Sequence, residues 1–496
     1  MGKYVAAFYQ GHDSSLAIVG EGRIVHFEAE RLSRTRHDSA DMSRWLIDAC
    51  AQLGIQTSDI AAFAGISGAM GAAPSFYRTE VELHRSDRSA CGVSRPTYCF
   101  PHHIAHVAYA LYSSPYAAAR IIAIDACGDG QVMPFRGAHM PDCMYGWAVH
   151  PFGQCEPTEM RITRLTSQCV GACWIEACQA LYGRPNCEGK IMALCGVPSS
   201  MWESTGFTEE QRVEIRQLQE FTNQRFLELA AMTDAAPFDH GRNRAPLAFA
   251  GGCALNGIAV YNILKQRYAT QIHVPPSVDD GGISVGAAMY VLHAILGEPR
   301  VEYSPDTIAF AGFTEPELEG APPADRIAEL LADGKVVALA HGRAESGPRA
   351  LGHRSILADP RSLAMKDRIN QIKGREAYRP VAPVVMKEYA DDLFDLIDHD
   401  AYRYMTTIAQ SKPRMQEIAP AGVHYDGSAR VQVVEKGHTL YPILERFYAL
   451  TGVPVLLNTS FNIGGEAMCN SAAHARDTFA RSTIDVLCVG SELTIR

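Results

Sequence analysis

Three short apolar runs in this chain end in a turn that contains glycine, and this arrangement restricts the folds that the chain can adopt. The turns are QGHDSS, DACGDG and GGCALNG, at residues 10–15, 125–130 and 251–257. An apolar run that leads through such a turn into apolar residues at helical spacing is typical of a strand followed by a helix. Exposed backbone N–H groups in these turns can bind phosphate oxygens, although one turn alone has a steric explanation. Together the three turns predict an α/β protein with a nucleotide cleft between two lobes.

The same alternation of strand and helix continues along the chain and indicates how the chain is divided. The N-terminal part contains three short apolar runs that predict strands, and residues 41–54 have apolar side chains at helical spacing. Residues 298–323 are rich in Pro, Glu, Gly and Asp, a composition typical of a connection between domains. We therefore predict a boundary near residue 320, with domains of residues 1–320 and 321–496.

The charge of the chain restricts its partners. It has 45 Lys and Arg against 55 Asp and Glu, a formal net charge of −10. Binding along a nucleic-acid backbone depends on neutralising many phosphates, so no nucleic-acid partner is expected. The N-terminal segment lacks the apolar core of a secretory signal, and the sequence has no apolar run of about 18 residues. We therefore expect a cytoplasmic protein with no membrane partner.

Two histidines four residues apart are candidates for a metal site. In the segment HHIAH, His102 and His106 would lie on one face of a helix, where two imidazoles can reach a single ion. Asp125, at the end of an apolar strand, and Asp280, in a glycine turn, are carboxylates that could complete the set. Such a set suits Fe(II), Mn or Zn without selecting one of them. The alternative is that the histidines bond only to backbone groups or water.

One region is basic in an otherwise acidic chain. Residues 341–380 contain four acidic residues and nine basic ones, namely Arg343, Arg349, Arg354, Arg361, Lys366, Arg368, Lys373, Arg375 and Arg379. A helical face with ion pairs is the ordinary explanation of such a run, and the segment KDRIN fits it. The segment HGRAESGPRALGHRSI does not, because its arginines lie among Gly, Pro and small residues, where guanidinium groups bind polyanions or carboxylates. We therefore predict an anion site in this segment.

Ten segments, which run in order from residue 10 to near the C-terminus, carry a family resemblance. They are GHDSS, FEAERLSRTRHD, PHHIAHVAYA, EGKIMAL, GGCALNG, DDGGISVGAA, GRAESGPRALGHRSILADPR, IKGREAYRPVAPVV, DGSARVQVV and LNTSFNIGGEAM. With these segments the chain resembles the O-carbamoyltransferases of the nodulation-protein and cephalosporin or tobramycin carbamoyltransferase type. The most specific of them are GPRALGHRSI and LNTSFN.

The resemblance implies a fold and a reaction for each domain. Residues 1–320 would form a two-lobed domain of the actin-like ATPase superfamily, similar to the tRNA threonylcarbamoyl-transfer enzyme and containing the metal site. Residues 321–496 would form a YrdC-like α/β domain that makes carbamoyladenylate from carbamoyl phosphate and ATP. The first domain would then transfer the carbamoyl group to a hydroxyl of a small molecule.

The resemblance also implies roles for individual residues. The transfer site would bind a divalent metal, with Fe(II) expected, through His102, His106, Asp125 and Asp280, and His12 would be the catalytic base. The residues expected to hold carbamoyl phosphate and ATP, with Mg(II) as a companion of ATP, are Arg349, Lys373, Arg430, Asn458 and Ser460. The residues expected to line the nucleotide cleft of the transfer domain are Lys190, Gly251, Gly252 and Asn256.

The sequence does not identify the acceptor or the oligomeric state. A specialised metabolite of the antibiotic type is the expected hydroxyl acceptor, and the few aromatic residues near the candidate segments, such as Tyr9 and Tyr182, favour a polar one. A homodimer is one expectation for the assembly. Two alternative functions are a tRNA-modifying enzyme with related adenylate chemistry and an actin-like ATPase that acts as a regulator.

Overall fold

The computed structural model of the chain describes residues 3–66, 84–90, 92–100, 102–116, 119–125, 145–146, 161–162, 170–234 and 246–496. The helices in this part of the chain are α1 (Ala29–Ser33), α2 (Leu46–Leu53), α3 (His102–Ser113), α4 (Val170–Tyr182), α5 (Glu188–Cys195), α6 (Glu209–Asp234), α7 (Gly257–Lys265), α8 (Ile283–Met289), α9 (Pro305–Ala309), α10 (Ala324–Ala332), α11 (Leu363–Ile372), α12 (Lys387–Leu393), α13 (Pro413–Ile418), α14 (Tyr441–Thr451) and α15 (Ala472–Ala480). The strands are β1 (Tyr4–Tyr9), β2 (Ser15–Gly20), β3 (Arg23–Glu28), β4 (Ile60–Ile66), β5 (His84–Ala90), β6 (Val93–Phe100), β7 (Arg120–Ala123), β8 (Tyr145–Gly146), β9 (Arg161–Ile162), β10 (Leu247–Ala250), β11 (Ile272–His273), β12 (Val337–Ala340), β13 (Arg354–Ala358), β14 (Ala382–Met386), β15 (Phe394–Asp395), β16 (Ala409–Ser411), β17 (Ser428–Ala429), β18 (Gln432–Val434), β19 (Val455–Ser460), β20 (Val486–Val489) and β21 (Glu492–Ile495).

The chain divides into two compact units. Unit 1 consists of Met1–Ile175, Gln224–Leu255 and Asn262–Gly312. Unit 2 consists of Glu176–Asn223, Asn256–Tyr261 and Phe313–Arg496. The last change of unit therefore lies a few residues before the predicted boundary, and two earlier segments belong to unit 2 as well. Tertiary hydrogen bonds explain this assignment, because the carbonyl of Ala193 in the first of these segments accepts a hydrogen bond from His424 Nε2 at 2.8 Å.

Unit 1 is built on a six-stranded sheet with the order β3-β2-β1-β4-β6-β5. The first three strands form an antiparallel meander, in which Val5 pairs with Val19, and β4 lies parallel to β1. These are the strands that the three N-terminal apolar runs predict. A second sheet, with the order β11-β10-β7, is parallel and buried, which suits its short strands and the entirely apolar central strand β10. The mixed α/β fold predicted from the sequence is confirmed.

Two buried helices, α3 and α8, pack against each other in unit 1. Their close approach depends on Gly286, where a Cβ would lie 1.9 Å from the carbonyl oxygen of Ala105. Any larger residue would therefore push the two helices apart. Both helices contribute to the core that also covers β1, β2 and β4. This packing matters for function because α3 begins at His102 and α8 follows Asp280.

Unit 2 is built on a seven-stranded sheet with the order β18-β14-β19-β13-β12-β20-β21. Strands β12 and β13 are antiparallel neighbours, with Ala340 opposite Arg354, so residues 341–353 form the loop between them. Strand β19 lies antiparallel to β13 and places Asn458 opposite Leu357. The segments GPRALGHR and LNTSF, far apart in sequence, therefore meet at adjacent strands.

Some segments that carry sequence predictions lie partly outside the described residues. Residues 126–130 of the DACGDG turn lie outside the described residues, as does the proline that precedes His102. The predicted connection of residues 298–323 contains the short helix α9. Within the described ranges, every helix is too short or too polar to cross a membrane.

Candidate functional site

Helix α3 brings the two predicted histidines together. All of its side chains are buried, and His102 and His106 lie one turn apart on the same face. Their Nε2 atoms are 3.0 Å from each other. The helical spacing read from the sequence therefore places two imidazole nitrogens at one point.

Two aspartates reach the same point from other elements of unit 1. Asp125 follows β7 by two residues, and its Oδ2 lies 3.1 Å from His102 Nε2 and 3.2 Å from His106 Nε2. Asp280 begins the single 3₁₀ turn before α8, and its Oδ1 lies 3.3 Å from the Nε2 atom of each histidine. One donor atom from each of the four residues lies within 4.8 Å of the other three. The sequence predicted this set, and the structure brings all four residues together.

Glycines permit the close approach of the loop that lies beside Asp125. Gly251 has a φ of 84°, and a Cβ there would lie 2.2 Å from the carbonyl oxygen of Ile124. At Gly252 a Cβ would lie 3.3 Å from Asp125 Oδ1. These two glycines, predicted to line a nucleotide cleft, belong to unit 1 and border the carboxylate of Asp125.

The electrostatics of the four residues favour a bound cation. Burial lowers the pKa of His102, but the neighbouring Asp280 and Asp125 outweigh burial and raise this pKa well above its usual value. Burial raises the pKa of Asp280, but His102 and His106 outweigh it and hold this pKa well below its usual value. The carboxylates are therefore stabilised by positive charge between them. Two imidazole nitrogens and two carboxylate oxygens suit a divalent transition metal, so the residues fit the metal that the sequence predicts.

Tyr9 holds one of these carboxylates in place. Its hydroxyl donates a 2.7 Å hydrogen bond to Asp280 Oδ2, and its ring packs edge-on against His102 with the centroids 5.9 Å apart. From the sequence, Tyr9 is predicted only as an aromatic neighbour of the acceptor. Its contact with a residue 271 positions away depends on tertiary packing, which no local pattern indicates.

His12 lies at the edge of the metal-binding set. Its side chain is 63% exposed, and its Nδ1 lies 3.7 Å from Asp280 Oδ2. Its Nε2 lies 3.1 Å from Asp13 Oδ2, while Asp13 Oδ1 is 2.8 Å from His37 Nδ1. The hydrogen bond with Asp13 raises the pKa of His37. Asp13 and His37 were not predicted, although they belong to the segments GHDSS and RTRHD.

Three arginines gather in unit 2. Burial lowers the pKa of Arg430 well below its usual value, and the positive charges of Arg349 and Arg379 lower it further. Like charges that lie close together repel one another unless an anion offsets them. Arg349 and Arg430 were predicted to hold the anionic substrates, and that role stays a prediction.

Lys373 and Ser460 also meet, as the sequence predicts. Lys373 follows the C-terminus of α11 and is 2% exposed. Its Nζ donates hydrogen bonds to the carbonyl and the hydroxyl of Ser460 and to the carbonyl and the side-chain oxygen of Asn462. None of these four oxygens is charged, and the role of Lys373 in binding carbamoyl phosphate and ATP stays a prediction.

Asn458 forms a hydrogen bond with the loop of residues 341–353. The side chain is fully buried, and its Nδ2 donates to the carbonyl of Ala350 at 3.1 Å and to Gln432 Oε1 at 2.8 Å. The sequence predicted a substrate contact for Asn458. The structure gives it a contact with the residue that follows Arg349.

Some of the basic residues in the region 341–380 serve the fold. Arg354 is fully buried and donates to several backbone carbonyls, while Arg361 pairs with Asp359 and Arg368 pairs with Asp485. The anion site predicted for the segment HGRAESGPRALGHRSI therefore does not account for Arg354. The guanidinium of this residue instead satisfies the ends of the loop, which sequence composition does not reveal.

Lys190 and Asn256 were predicted to line the nucleotide cleft of the transfer domain. Both belong to unit 2. Lys190 Nζ donates to Glu376 Oε1 at 2.6 Å, and Asn256 exchanges hydrogen bonds with Gln219 at 3.1 Å and 3.2 Å. Both residues therefore have protein partners, and the cleft role stays a prediction.

Comparisons with known proteins identify the class of this chain. Residues 199–289 match the family model for the carbamoyltransferase N-terminus, and residues 328–496 match the model for the carbamoyltransferase C-terminus. Nodulation protein U of Sinorhizobium fredii is 30% identical over 542 aligned residues, which cover 94% of each chain. Nodulation protein NolNO of the same organism is 39% identical over 272 residues, which cover 50% of this chain and 39% of that protein. The chain belongs to the carbamoyltransferase family and is a transferase.

Among solved structures, Sua5 of P. abyssi matches 34% of this chain and 46% of its own. The sequence identity is 17% and the TM-score is 0.26. This TM-score is too low to define a shared fold, and the assignment of the family depends on the sequence relatives.

Proposed function

We propose that the protein makes carbamoyladenylate from carbamoyl phosphate and ATP in unit 2 and transfers the carbamoyl group to a hydroxyl in unit 1. The observation that carries this proposal is the presence of two different sites in one carbamoyltransferase chain. One is the group of arginines with Lys373, and the other is the set of His102, His106, Asp125 and Asp280. In this proposal unit 1 is the actin-like domain and unit 2 the YrdC-like domain.

The charges of unit 2 support the activation step. Release of both phosphate and pyrophosphate during formation of carbamoyladenylate consumes one water, and negative charge builds up on both leaving groups. Arg349, Arg430 and Lys373 can offset this charge, and the burial of Lys373, which is 2% exposed, strengthens its interaction. ATP would carry Mg(II), as it commonly does in such sites. The mixed anhydride that results has AMP as a good leaving group.

The geometry of unit 1 supports the transfer step. The acceptor oxygen attacks the carbamoyl carbon, the bond from that carbon to the AMP oxygen breaks, and His12 takes the hydroxyl proton. The exposed side chain of His12 leaves it accessible to an acceptor, and Asp13 orients its Nε2. A divalent metal held by His102, His106, Asp125 and Asp280, Fe(II) in this proposal, would polarise the carbamoyl carbonyl as a Lewis acid. The acceptor proposed is a small polar metabolite of the antibiotic type.

The proposed function is tested by the release of pyrophosphate from ATP. Purified protein is incubated with ATP and Mg(II), with and without carbamoyl phosphate, and pyrophosphate and phosphate are measured separately. We expect pyrophosphate only when carbamoyl phosphate is present. Release of phosphate from ATP alone would contradict the proposal and favour an actin-like ATPase. A panel of candidate alcohols, assayed by mass spectrometry for the gain of one carbamoyl group, then identifies the acceptor.

Replacement of His12 with asparagine separates the two steps. We expect the transfer rate to fall about 10²–10⁴-fold, since general-base catalysis contributes this much, while pyrophosphate release remains within about twofold of the parent. His399→Asn is a matched control, because His399 is also paired with an aspartate, Asp391, at 2.9 Å in unit 2. Carbamoylated product and pyrophosphate are quantified for both variants. Normal transfer by His12→Asn would remove His12 from the mechanism.

A further inference from the structure

The loop of residues 341–353 is organised around one buried carboxylate. Glu345 is 1% exposed, and its Oε1 accepts hydrogen bonds from the backbone N–H groups of the next strand and the end of the loop. The donors and their distances are Leu351 at 2.9 Å, Gly352 at 3.1 Å, His353 at 2.8 Å and Arg354 at 2.9 Å. Four successive amides therefore converge on one oxygen, and the anion that they surround belongs to the protein itself.

This arrangement decides how the loop can bind an anionic substrate. Successive N–H groups that point to one place form a nest of the kind that binds phosphate. Here Glu345 already occupies the nest formed by residues 351–354. These four amides are bonded to the protein, so recognition of an anion falls to side chains. The loop carries two arginines, Arg343 and Arg349, and it is Arg349 whose charge acts on Arg430.

The residues on each side of Arg349 are held by further bonds. The carbonyl of Ala350 accepts from Asn458 Nδ2 at 3.1 Å, and that of Leu351 accepts from Gln432 Nε2 at 2.9 Å. At the end of the loop, the guanidinium of Arg354 donates to the carbonyls of His341 at 2.7 Å and Gly342 at 3.1 Å. Glu345 accepts from the N–H groups of this segment, and Asn458, Gln432 and Arg354 donate to its carbonyls. Together these bonds fix the backbone from which Arg349 projects.

We propose that Glu345 is a positioning residue for anion binding in unit 2, and that it acts on the substrate only through Arg349. The proposal rests on the proposed function in one respect, namely that the anion is the phosphate of carbamoyl phosphate. A carboxylate that accepts several N–H bonds stabilises its loop strongly, because these bonds are charge-assisted. Loss of this carboxylate frees four amides and lets the backbone under Arg349 move.

A double-mutant cycle tests this proposal. We expect Glu345→Ala to raise the KM for carbamoyl phosphate about 30-fold while kcat changes less than about threefold, since a contact present in both ground and transition states affects binding uniformly. Arg349→Ala should raise the KM by a similar factor. The double variant Glu345→Ala/Arg349→Ala should be no worse than Arg349→Ala alone, because the proposal has Glu345 act on the substrate only through Arg349.

A conservative variant and a core variant exclude a merely structural effect. Glu345→Gln retains an acceptor oxygen at the same place and should bring the KM back to within about fivefold of the parent. Leu330→Ala removes a buried side chain from α10 of the same unit and should lower the melting temperature without raising the KM. Multiplied effects in the double variant, or a KM for Glu345→Ala equal to that of the parent, would overturn the proposal.

A binding measurement keeps the proposal separate from the proposed function. Isothermal titration with inorganic pyrophosphate measures the anion site directly and requires no turnover. Glu345→Ala should weaken pyrophosphate binding about 30-fold, as Arg349→Ala does, and Glu345→Gln should restore most of it. If the parent released no pyrophosphate from ATP but bound this anion in the predicted order, the proposed reaction would fail and the role of Glu345 would stand. Equal affinity in the parent and in Glu345→Ala would contradict that role.

Discussion

Replacement of Lys373 with methionine is expected to reduce the release of pyrophosphate, driven by carbamoyl phosphate, about 10³-fold. Lys373 is 2% exposed and holds an ammonium group among four uncharged oxygens of Ser460 and Asn462. In the proposed reaction it offsets charge on the leaving groups, and the loss of a preorganised donor of this kind costs about 10²–10³ in rate. Methionine keeps the length and the apolar stem of lysine and removes the charge. Initial rates of pyrophosphate formation measure the effect.

Lys366 supplies the matched control for this prediction. It lies on α11, the helix that ends just before Lys373, is 6% exposed, and places its ammonium group 4.3 Å from the centre of the Tyr425 ring. Lys366→Met removes the same charge from a neighbouring buried position, and its rate should stay within about threefold of the parent. Thermal melting of both variants shows whether they fold. Equal rates for Lys373→Met and Lys366→Met in folded protein would contradict the anion site.

Replacement of Asp280 with asparagine is expected to remove both bound metal and carbamoyl transfer. Asp280 Oδ1 lies 3.3 Å from the Nε2 atoms of His102 and His106, and asparagine keeps its shape without its charge. Lewis-acid stabilisation is worth several kcal/mol, so the transfer rate should fall at least about 10³-fold. Metal content after anaerobic loading with Fe(II) should fall from about one equivalent to below about 0.1. Elemental analysis of the desalted protein measures this content.

The neighbouring Asp279 is the control for the metal site. Its carboxylate does not belong to the four-residue donor set within the described residues. Asp279→Asn should therefore keep about one equivalent of metal, since the ligands are unchanged. Release of pyrophosphate by Asp280→Asn should also remain, because the proposed activation step takes place in unit 2. Full metal content in Asp280→Asn would exclude this aspartate as a ligand.

The metal-binding set was predictable because each of its members has a local signal. Two histidines at helical spacing define a shared face, and carboxylates at the end of a strand and in a glycine turn follow from the order of the elements. Tyr9 and Asp13 were not predicted as partners of this set. The contact of Tyr9 with Asp280 depends on how distant elements pack, and no local pattern in the sequence records this packing. Asp13 is adjacent to His12, but its second contact, with His37, joins separate segments.

For the proposed anion site, the sequence predicted the basic region but not the roles of its individual residues. Composition alone indicated a basic region, but it did not separate Arg349, which gathers with other arginines, from Arg354, which is bonded to backbone carbonyls. The role of Glu345 was not predictable either, because an acidic residue lowers the positive charge of a basic segment and its presence does not indicate a role in anion binding. The proposed function of Glu345 depends on bonds from four backbone N–H groups. Nearly every residue type has such a group, so the sequence does not show which amides bond to Glu345.

The discontinuous course of the chain limits how the protein can be dissected. Glu176–Asn223 and Asn256–Tyr261 belong to unit 2, although each is flanked by residues of unit 1. A fragment that starts at Phe313 would lack Ala193 and Lys190, the partners of His424 and Glu376. No single cleavage point yields two self-sufficient halves, so a truncated C-terminal piece should be unstable in isolation. Studies of either chemical step are therefore better served by point substitutions in the intact polypeptide than by expression of fragments.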